Sequence, residues 1–238
     1  MRSSAGKSSA GQVMAANVDT VLIAVPLERE AKVAQLERFV TVAWQSGARP
    51  LVALTKADVV DADEADLALT RAQEVSPGVD VVVVSASTGE GLDDLRARLG
   101  TTTALVGQSG AGKSTLVNAL AGSQVMATQA TRQDGKGRHT TTARELVALP
   151  GGGVLIDTPG VRGIGVHEAN TGVAQSFSDI EALAEQCRFG DCAHESEPGC
   201  AVQAAVEDGS LTERRVHAYR VQLREVVRET RAKHRARR

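Results

Sequence analysis

Gly107, Gly112, Lys113 and Ser114 stand in the spacing G-x-x-x-x-G-K-S within ALVGQSGAGKSTLVNAL, directly after an apolar run and directly before an amphipathic one. Glycines so placed let a loop curl until its backbone N–H groups converge, and the helix N-terminus that follows adds partial positive charge. The loop of Gly107, Gln108, Ser109, Gly110, Ala111 and Gly112 is therefore read as a phosphate cradle. Lys113 is expected to neutralise β/γ oxygens, a catalytic part as well as a binding one, Ser114 to ligate Mg²⁺, and Thr115 to close the motif. Asp157 ends the run VLID, where its carboxylate can hold the same ion through water, and Gly160 offers a backbone N–H to a γ-phosphate. Two more stretches address a base. Asp58, in Thr55-Lys56-Ala57-Asp58, can accept two hydrogen bonds from guanine N1 and N2 but would meet an acceptor at adenine N1. Lys56 can lie over the ring, and Ala86 in VVVVSAS can offer its N–H to guanine O6 while Ser85 braces the turn. Each stretch alone has a plain reading, a solvated loop acid or a strand-end serine. Together, each at the C-terminal end of an apolar run, they predict GTP or GDP with Mg²⁺ as the ligand. Thr55 stands where many GTPases have asparagine, so one brace between base loop and phosphate loop is expected to be altered.

Every cysteine of the chain, Cys187, Cys192 and Cys200, falls in CRFGDCAHESEPGC together with His194, spaced C-x4-C-x-H-x5-C. An odd cysteine count suits disulfides poorly, whereas three thiolates and an imidazole fill one tetrahedral Zn²⁺ shell with no open position, the make-up of a structural site. Free buried thiols are the competing reading. Residues 174 to 208 hold too few apolar groups for a core of their own, so metal binding is expected to supply much of the local folding energy. Residues 211 to 238 carry ten Arg/Lys against three Glu, a local charge of +7 that leaves −9 for the rest of a chain of net charge −2. LTERRVHAYRVQLREVVRE places Val216, Tyr219, Leu223, Val226 and Val227 on one helical face, with arginines around the remainder. A solvated helix packed on its neighbour competes with a footprint for RNA phosphate, and the basic ending RAKHRARR favours the latter.

These groups need a scaffold that sets them side by side. With 238 residues, 42% of them hydrophobic but only 2% aromatic, the core must be built from Val, Leu, Ile and Ala, which suits a buried parallel sheet. Strands are expected at 18 to 25, 51 to 54, 81 to 84, 103 to 106, 144 to 149 and 153 to 157, and helices around 28 to 46, 62 to 75 and 91 to 99. The alternation implies right-handed crossovers, a mostly parallel α/β sheet with helices on both faces, and one antiparallel edge at the turn through Pro150 and glycines 151 to 153. Residues 1 to 15 read as a flexible leader, 16 to 173 as the sheet domain, and 174 to 238 as a small α-helical zinc-binding domain with a basic C-terminal helix. The polar stretch 123 to 143 shows no periodicity and follows the phosphate-loop helix, where a switch is expected. No apolar run reaches the length of a membrane span and no signal peptide is evident, so a cytoplasmic monomer without membrane attachment is expected.

The base-reading stretches precede the phosphate loop, the reverse of the usual order, so the motifs are circularly permuted. A doubly wound sheet tolerates this because strand-end loops keep their places. TKAD, SAS, GQSGAGKST, GRHTTT at 137 to 142, DTPG and the Cys/His cluster resemble the RsgA/YjeQ family of circularly permuted P-loop GTPases, over about residues 13 to 230. The resemblance implies hydrolysis of GTP to GDP and phosphate, stimulated by the small ribosomal subunit, in a late maturation factor that binds its rRNA. It implies a switch in GRHTTT, with a threonine among Thr140, Thr141 and Thr142 completing the Mg²⁺ shell. Val161 follows DTPG where Ras-like proteins carry the glutamine that orients water, and the resemblance points instead to His139. Family members usually carry an N-terminal OB-fold domain, for which too little sequence precedes residue 16, so a short variant or a shortened chain is expected. A GTP-gated RNA-binding module with negligible catalysis is the alternative. An enzyme acting on a further small substrate finds no second acid/base or nucleophile constellation to support it.

Overall fold

Apolar runs rich in β-branched residues bury both faces only as the middle layer of a sandwich. The computed structural model, which describes residues 15–28, 32–127, 145–157 and 170–236, builds that layer. Strands β1 (Thr20–Pro26), β2 (Arg49–Thr55), β3 (Asp80–Val84), β4 (Thr102–Gly107), β5 (Glu145–Ala148) and β6 (Val154–Asp157) form a six-stranded sheet in the order β3-β2-β1-β4-β6-β5. The pairings are parallel except that of β5 with β6, where the glycine-rich turn reverses the chain as expected. β1 is hydrogen-bonded to both β2 and β4, so the strand order reverses between β1 and β4. That reversal places the crevice for a ligand beyond the carboxyl ends of the strands.

The sheet helices are α1 (Val33–Gln45), α2 (Ala62–Val75), α3 (Leu92–Arg98) and α4 (Lys113–Ala121). Period-two alternation sends Leu22 and Ala24 of β1 to one face, against Leu92, Leu95, Leu116 and Leu120 of α3 and α4. Ile23 and Val25 point to the other face, against Leu36, Phe39 and Val40 of α1 and Ala72 of α2. The α1 helix starts at Val33 and not at residue 28, where the sequence places its onset. α2 starts at a capped position, since the Asp61 carboxylate accepts from the Glu64 N–H at 2.8 Å.

Four further helices, α5 (Asn170–Ser176), α6 (Ser178–Ala184), α7 (Ala201–Glu207) and α8 (Glu213–Ala236), enclose a third apolar cluster. Val173, Phe177, Ile180 and Val202 supply one side of it, and Leu211, Val216, Tyr219 and Val226 the other. Residues 174 to 208 are thus apolar-poor only when taken without α8, which completes their core. On α8 the expected apolar face is rotated: Val227 is exposed, while Gln222 and Arg215 are buried.

α5 lies against α1 at backbone contact. A Cβ on Gly172 would sit 2.6 Å from the Thr41 carbonyl oxygen, so only glycine permits this approach. The Thr41 and Ser176 hydroxyls hydrogen-bond at 3.0 Å across the same contact. Beside it lies a buried charge cluster. Glu37 of α1, 2% exposed, receives Arg214 at 3.1 Å and Arg215 at 3.2 Å. All five N–H donors of Arg215 are used: two on Asp179, one on Glu37, and one each on the Val75 and Ser176 carbonyls that end α2 and α5. Its guanidinium also lies 4.3 Å over the Phe177 ring.

Candidate functional site

β4 ends at Gly107 and α4 begins at Lys113, so Gln108 to Gly112 form the turn between strand and helix that the motif requires. Gly107 adopts φ +153°, and a Cβ there would stand 2.5 Å from the Ala24 carbonyl oxygen, so the loop hugs β1 because this residue has no side chain. Gly110 and Gly112 also have positive φ, which turns the loop back on itself. Lys113 donates through Nζ to the Gly107 and Gln108 carbonyls at 3.1 and 2.7 Å, holding the loop from inside. Burial lowers its ammonium below the usual lysine value, and the charge of Asp157 pulls the other way. Asp157, 1% exposed, closes β6 in register with Leu105 of β4, so its carboxylate lies beside the loop. Ser114 is half-buried in the first turn of α4, and Thr115 is exposed.

The stretches expected to read a base arrive at the same end of the sheet. Asp58 sits in the 3-10 turn Ala57–Val59 that follows β2, with its carboxylate exposed. Buried Ser85 donates its hydroxyl to Asp58 Oδ1 at 2.6 Å, while its own oxygen accepts from the Thr88 N–H at 3.1 Å. This donation holds the Asp58 carboxyl below the ordinary aspartate range. The expected bracing by Ser85 therefore extends to the carboxylate itself. Ala86 follows it, half-buried, at the start of the turn after β3. Lys56 takes a left-handed backbone conformation with φ +66°, and its Nζ pairs with Glu28 at 2.7 Å. Its stem runs beside Gly112, since a Cβ there would lie 3.8 Å from Lys56 Cε. The brace expected to change at Thr55 is present in another form: the Thr55 hydroxyl donates to the Ala111 carbonyl of the phosphate loop at 2.9 Å. His139, Thr140, Thr141, Thr142 and Gly160 lie outside the described residues.

A second constellation lies between α6 and α7. The ligand atoms of Cys187, Cys192, His194 and Cys200 all lie within 4.8 Å of one another. A tetrahedral ion with metal–sulfur bonds of about 2.3 Å and a metal–nitrogen bond of about 2.0–2.1 Å requires S···S edges near 3.8 Å and S···N edges of about 3.6 Å. Cys187 Sγ and Cys200 Sγ stand 3.8 Å apart, and each is 3.6 or 3.5 Å from His194 Nδ1. These edges fit a four-coordinate metal. The loop is set by Glu197, whose carboxylate accepts the N–H groups of Ala193, Glu195 and Ser196 and is pushed down to about 2 by them. His194 itself has φ +58°, and Gln203 donates to its carbonyl.

Sequence patterns did not reveal the Glu37 cluster, the Glu28 partner of Lys56 or the role of Asn118. Asn118 accepts from the Val125 and Met126 N–H groups and donates to the Met126 carbonyl, folding the chain back after α4 so that Met126 enters the core. An asparagine in the last turns of a helix just before a polar stretch is the signal for such a clamp.

A family model described as RsgA GTPase matches residues 1–167. The small ribosomal subunit biogenesis GTPase RsgA of Streptomyces avermitilis is 58% identical over 228 residues, covering 94% of this chain and 62% of its own length. The chain thus spans about three fifths of the length of this curated relative. Among solved structures, YjeQ from Thermotoga maritima is 30% identical with a TM-score of 0.64, covering 89% of this chain and 72% of its own. YloQ, described as a circularly permuted GTPase, is 28% identical with a TM-score of 0.63 over 92% of this chain and 69% of its own.

Proposed function

The chain belongs to the RsgA GTPase family, and from that premise we propose that it binds GTP and hydrolyses it to GDP and phosphate as a late maturation factor of the small ribosomal subunit. One observation carries the reading. Thr55 ties the base-reading loop to the phosphate loop, and Ser85 aims Asp58, so recognisers for guanine and for phosphate share one rigid frame. Asp58 would accept guanine N1 and N2 hydrogen bonds, Ala86 would donate to O6, and Lys56 would cover the ring. Lys113 and the amides from Gln108 to Ser114 would meet the phosphates. Mg²⁺ bound with the nucleotide supplies charge neutralisation at the β/γ oxygens, and Ser114 and Asp157 are the residues to hold it. His139 is assigned the attacking water, one of Thr140, Thr141 and Thr142 the remaining place in the Mg²⁺ shell, and Gly160 the γ-phosphate.

Residues 16 to 173 would handle nucleotide and residues 174 to 238 would dock, with one structural zinc on Cys187, Cys192, His194 and Cys200. The docking reading is sharpened by the division of labour on α8. Arg214 and Arg215 spend their charge on Glu37 and Asp179. Arg224, Arg228, Arg231 and Arg235 are exposed at helical spacing on one stripe, about 16 Å long at 1.5 Å per residue. Such a stripe matches a run of phosphates in the small-subunit rRNA. The name of the Streptomyces relative places it in biogenesis of that subunit, and this chain would act there as a cytoplasmic monomer. The test is GTP hydrolysis with and without small ribosomal subunits. A slow rate raised tenfold or more, on the order of the partner effects known for GTPases or below them, is expected. A rate indifferent to the subunits would leave a GTP-gated RNA-binding module, and failure to bind GTP would overturn the reading altogether.

A further inference from the structure

The residues assigned to guanine follow β2 and β3, yet one of them is held from β1. Parallel pairing sets Pro26 of β1 opposite Thr55 of β2, and the Leu27 N–H donates to the Thr55 carbonyl at 2.9 Å. The residues that come next on the two segments are Glu28 and Lys56. Strand register thus makes them neighbours, and Lys56 Nζ meets Glu28 Oε1 at 2.7 Å, the short end of the range for a charge-assisted hydrogen bond. Their side chains are 19% and 28% exposed, so the pair is shielded from much of the solvent that weakens surface ion pairs.

The Lys56 side chain is therefore fixed at both ends. At its root the backbone is left-handed, with φ +66°, a conformation uncommon for any residue but glycine. At its tip the Glu28 carboxylate takes the ammonium. Between the two, Cγ and Cε run along the phosphate loop, 3.9 and 3.8 Å from where a Cβ on Gly112 would stand. A lysine stem left free samples many rotamers, and ordering it when a ligand binds costs roughly 2- to 12-fold in affinity. We propose that Glu28 is a positioning residue for the guanine nucleotide: it takes up the Lys56 ammonium, so that the methylene stem is laid out beforehand as the apolar surface that covers the ring. This role rests on the guanine-nucleotide reading given above. It adds to that site a residue from the end of β1, outside every nucleotide motif, and it gives the Lys56 stem, rather than its charge, the work at the base.

The test measures GDP affinity of the whole chain in the presence of Mg²⁺ by titration calorimetry, with thermal unfolding of the nucleotide-free protein as the measure of an intact sheet. Glu28→Ala is expected to weaken GDP binding by about 5-fold, and Glu28→Gln, which keeps a weaker acceptor, by about 3-fold, with the unfolding midpoint close to that of the parent. Lys56→Met keeps the stem and removes the ammonium, so it should lose about as much as Glu28→Ala, about 5-fold. In the Lys56→Met background Glu28→Ala should change GDP affinity by less than about 2-fold, because no ammonium remains to be held. The ratio of GDP to 2′-deoxy-GDP affinity should be the same in the parent and in Glu28→Ala. Should Glu28→Ala not fold, Glu28→Gln carries the same comparisons. Equal GDP affinity in the parent and the Glu28 variants would overturn the proposal and leave the nucleotide reading standing. An undiminished loss in the Lys56→Met background would also overturn it, as would a loss seen with GDP but not with 2′-deoxy-GDP, because Glu28 would then act on its own, in the latter case on the ribose. Abolished binding in Lys56→Met would do the same, since the ammonium would then serve the nucleotide directly. A parent protein with no affinity for GDP would overturn the nucleotide reading and this one with it.

Discussion

Replacing Arg215 with methionine keeps the volume of the stem and deletes five donated hydrogen bonds and a cation stacked on Phe177. The consequence falls mainly on Glu37, whose side chain is 1% exposed and would keep only Arg214, itself 46% exposed. Removing one partner of a buried ion pair costs about 3–5 kcal/mol, and the surviving Arg214 contact puts this case near the lower end, at about 3 kcal/mol. Chemical denaturation followed by Trp44 reads the loss well, because it is the chain's only tryptophan and sits on α1 with Glu37. Glu37→Gln combined with Arg215→Met should cost less than the two single changes added together, by at least about 1 kcal/mol, since both act on one contact. The pH dependence follows from Glu37. Burial raises its carboxyl above the ordinary glutamate value, and Arg214 and Arg215 pull it back, so loss of Arg215 raises it further. A raised folded-state value gives stability that is present at low pH and is lost as pH rises through that value. The penalty of Arg215→Met relative to the parent protein should therefore be larger at neutral pH than at mildly acid pH. A penalty under about 0.5 kcal/mol, typical of a surface change, or one that does not move with pH, would refute the argument.

Asp58→Asn should weaken GTP binding and admit other purine nucleotides, and retained guanine preference in competition assays would remove the base-reading role. Thr55→Val deletes the hydroxyl that reaches Ala111 at 2.9 Å; nucleotide affinity should fall by about 10-fold, the equivalent of one buried hydrogen bond with its acceptor stranded, while thermal stability drops only modestly. His139→Ala should lower hydrolysis and leave GTP affinity nearly unchanged, read by separate turnover and binding measurements. Cys192→Ser should reduce bound zinc well below one per chain and cut ribosome-stimulated hydrolysis with little change in GTP affinity; normal docking by this variant would sever the cluster from that role.

Strands were legible because residues such as Val81 to Val84 can only be buried on both faces, and Asp58, Lys113 and Asp157 were legible because their motifs fix spacing as well as type. Arg215 and Glu37 were not. A charged residue on an amphipathic helix reads as solvated, and its burial depends on a partner 178 positions away. The same cause hides the rotation of α8: a period-3.6 pattern weighs Val227 as core and Gln222 as surface, but Glu37 and Asp179 draw Arg215 inward and turn the buried face toward Gln222. At Thr55 the sequence shows that the brace changes but not what replaces it: the hydroxyl makes the contact, since it donates to a backbone carbonyl as well as an amide does.

The central position of β1 bears on how the protein is made. Its partner β2, and β3 beyond it, follow at short intervals, so the half that carries Asp58 and Ser85 can close its crossovers as soon as it leaves the ribosome. β4, which covers the other edge of β1, ends only at Gly107. At roughly 5–20 residues per second, the stretch from Pro26 to Gly107 takes about 4–16 s to synthesise. For that time the nascent chain presents the bare backbone donors and acceptors of a long, apolar strand edge, the kind that pairs readily with other chains. The permuted order therefore lets the loops after β2 and β3 form first and hands the unpaired edge of β1, rather than the glycine-rich loop after β4, to whatever attends the emerging chain.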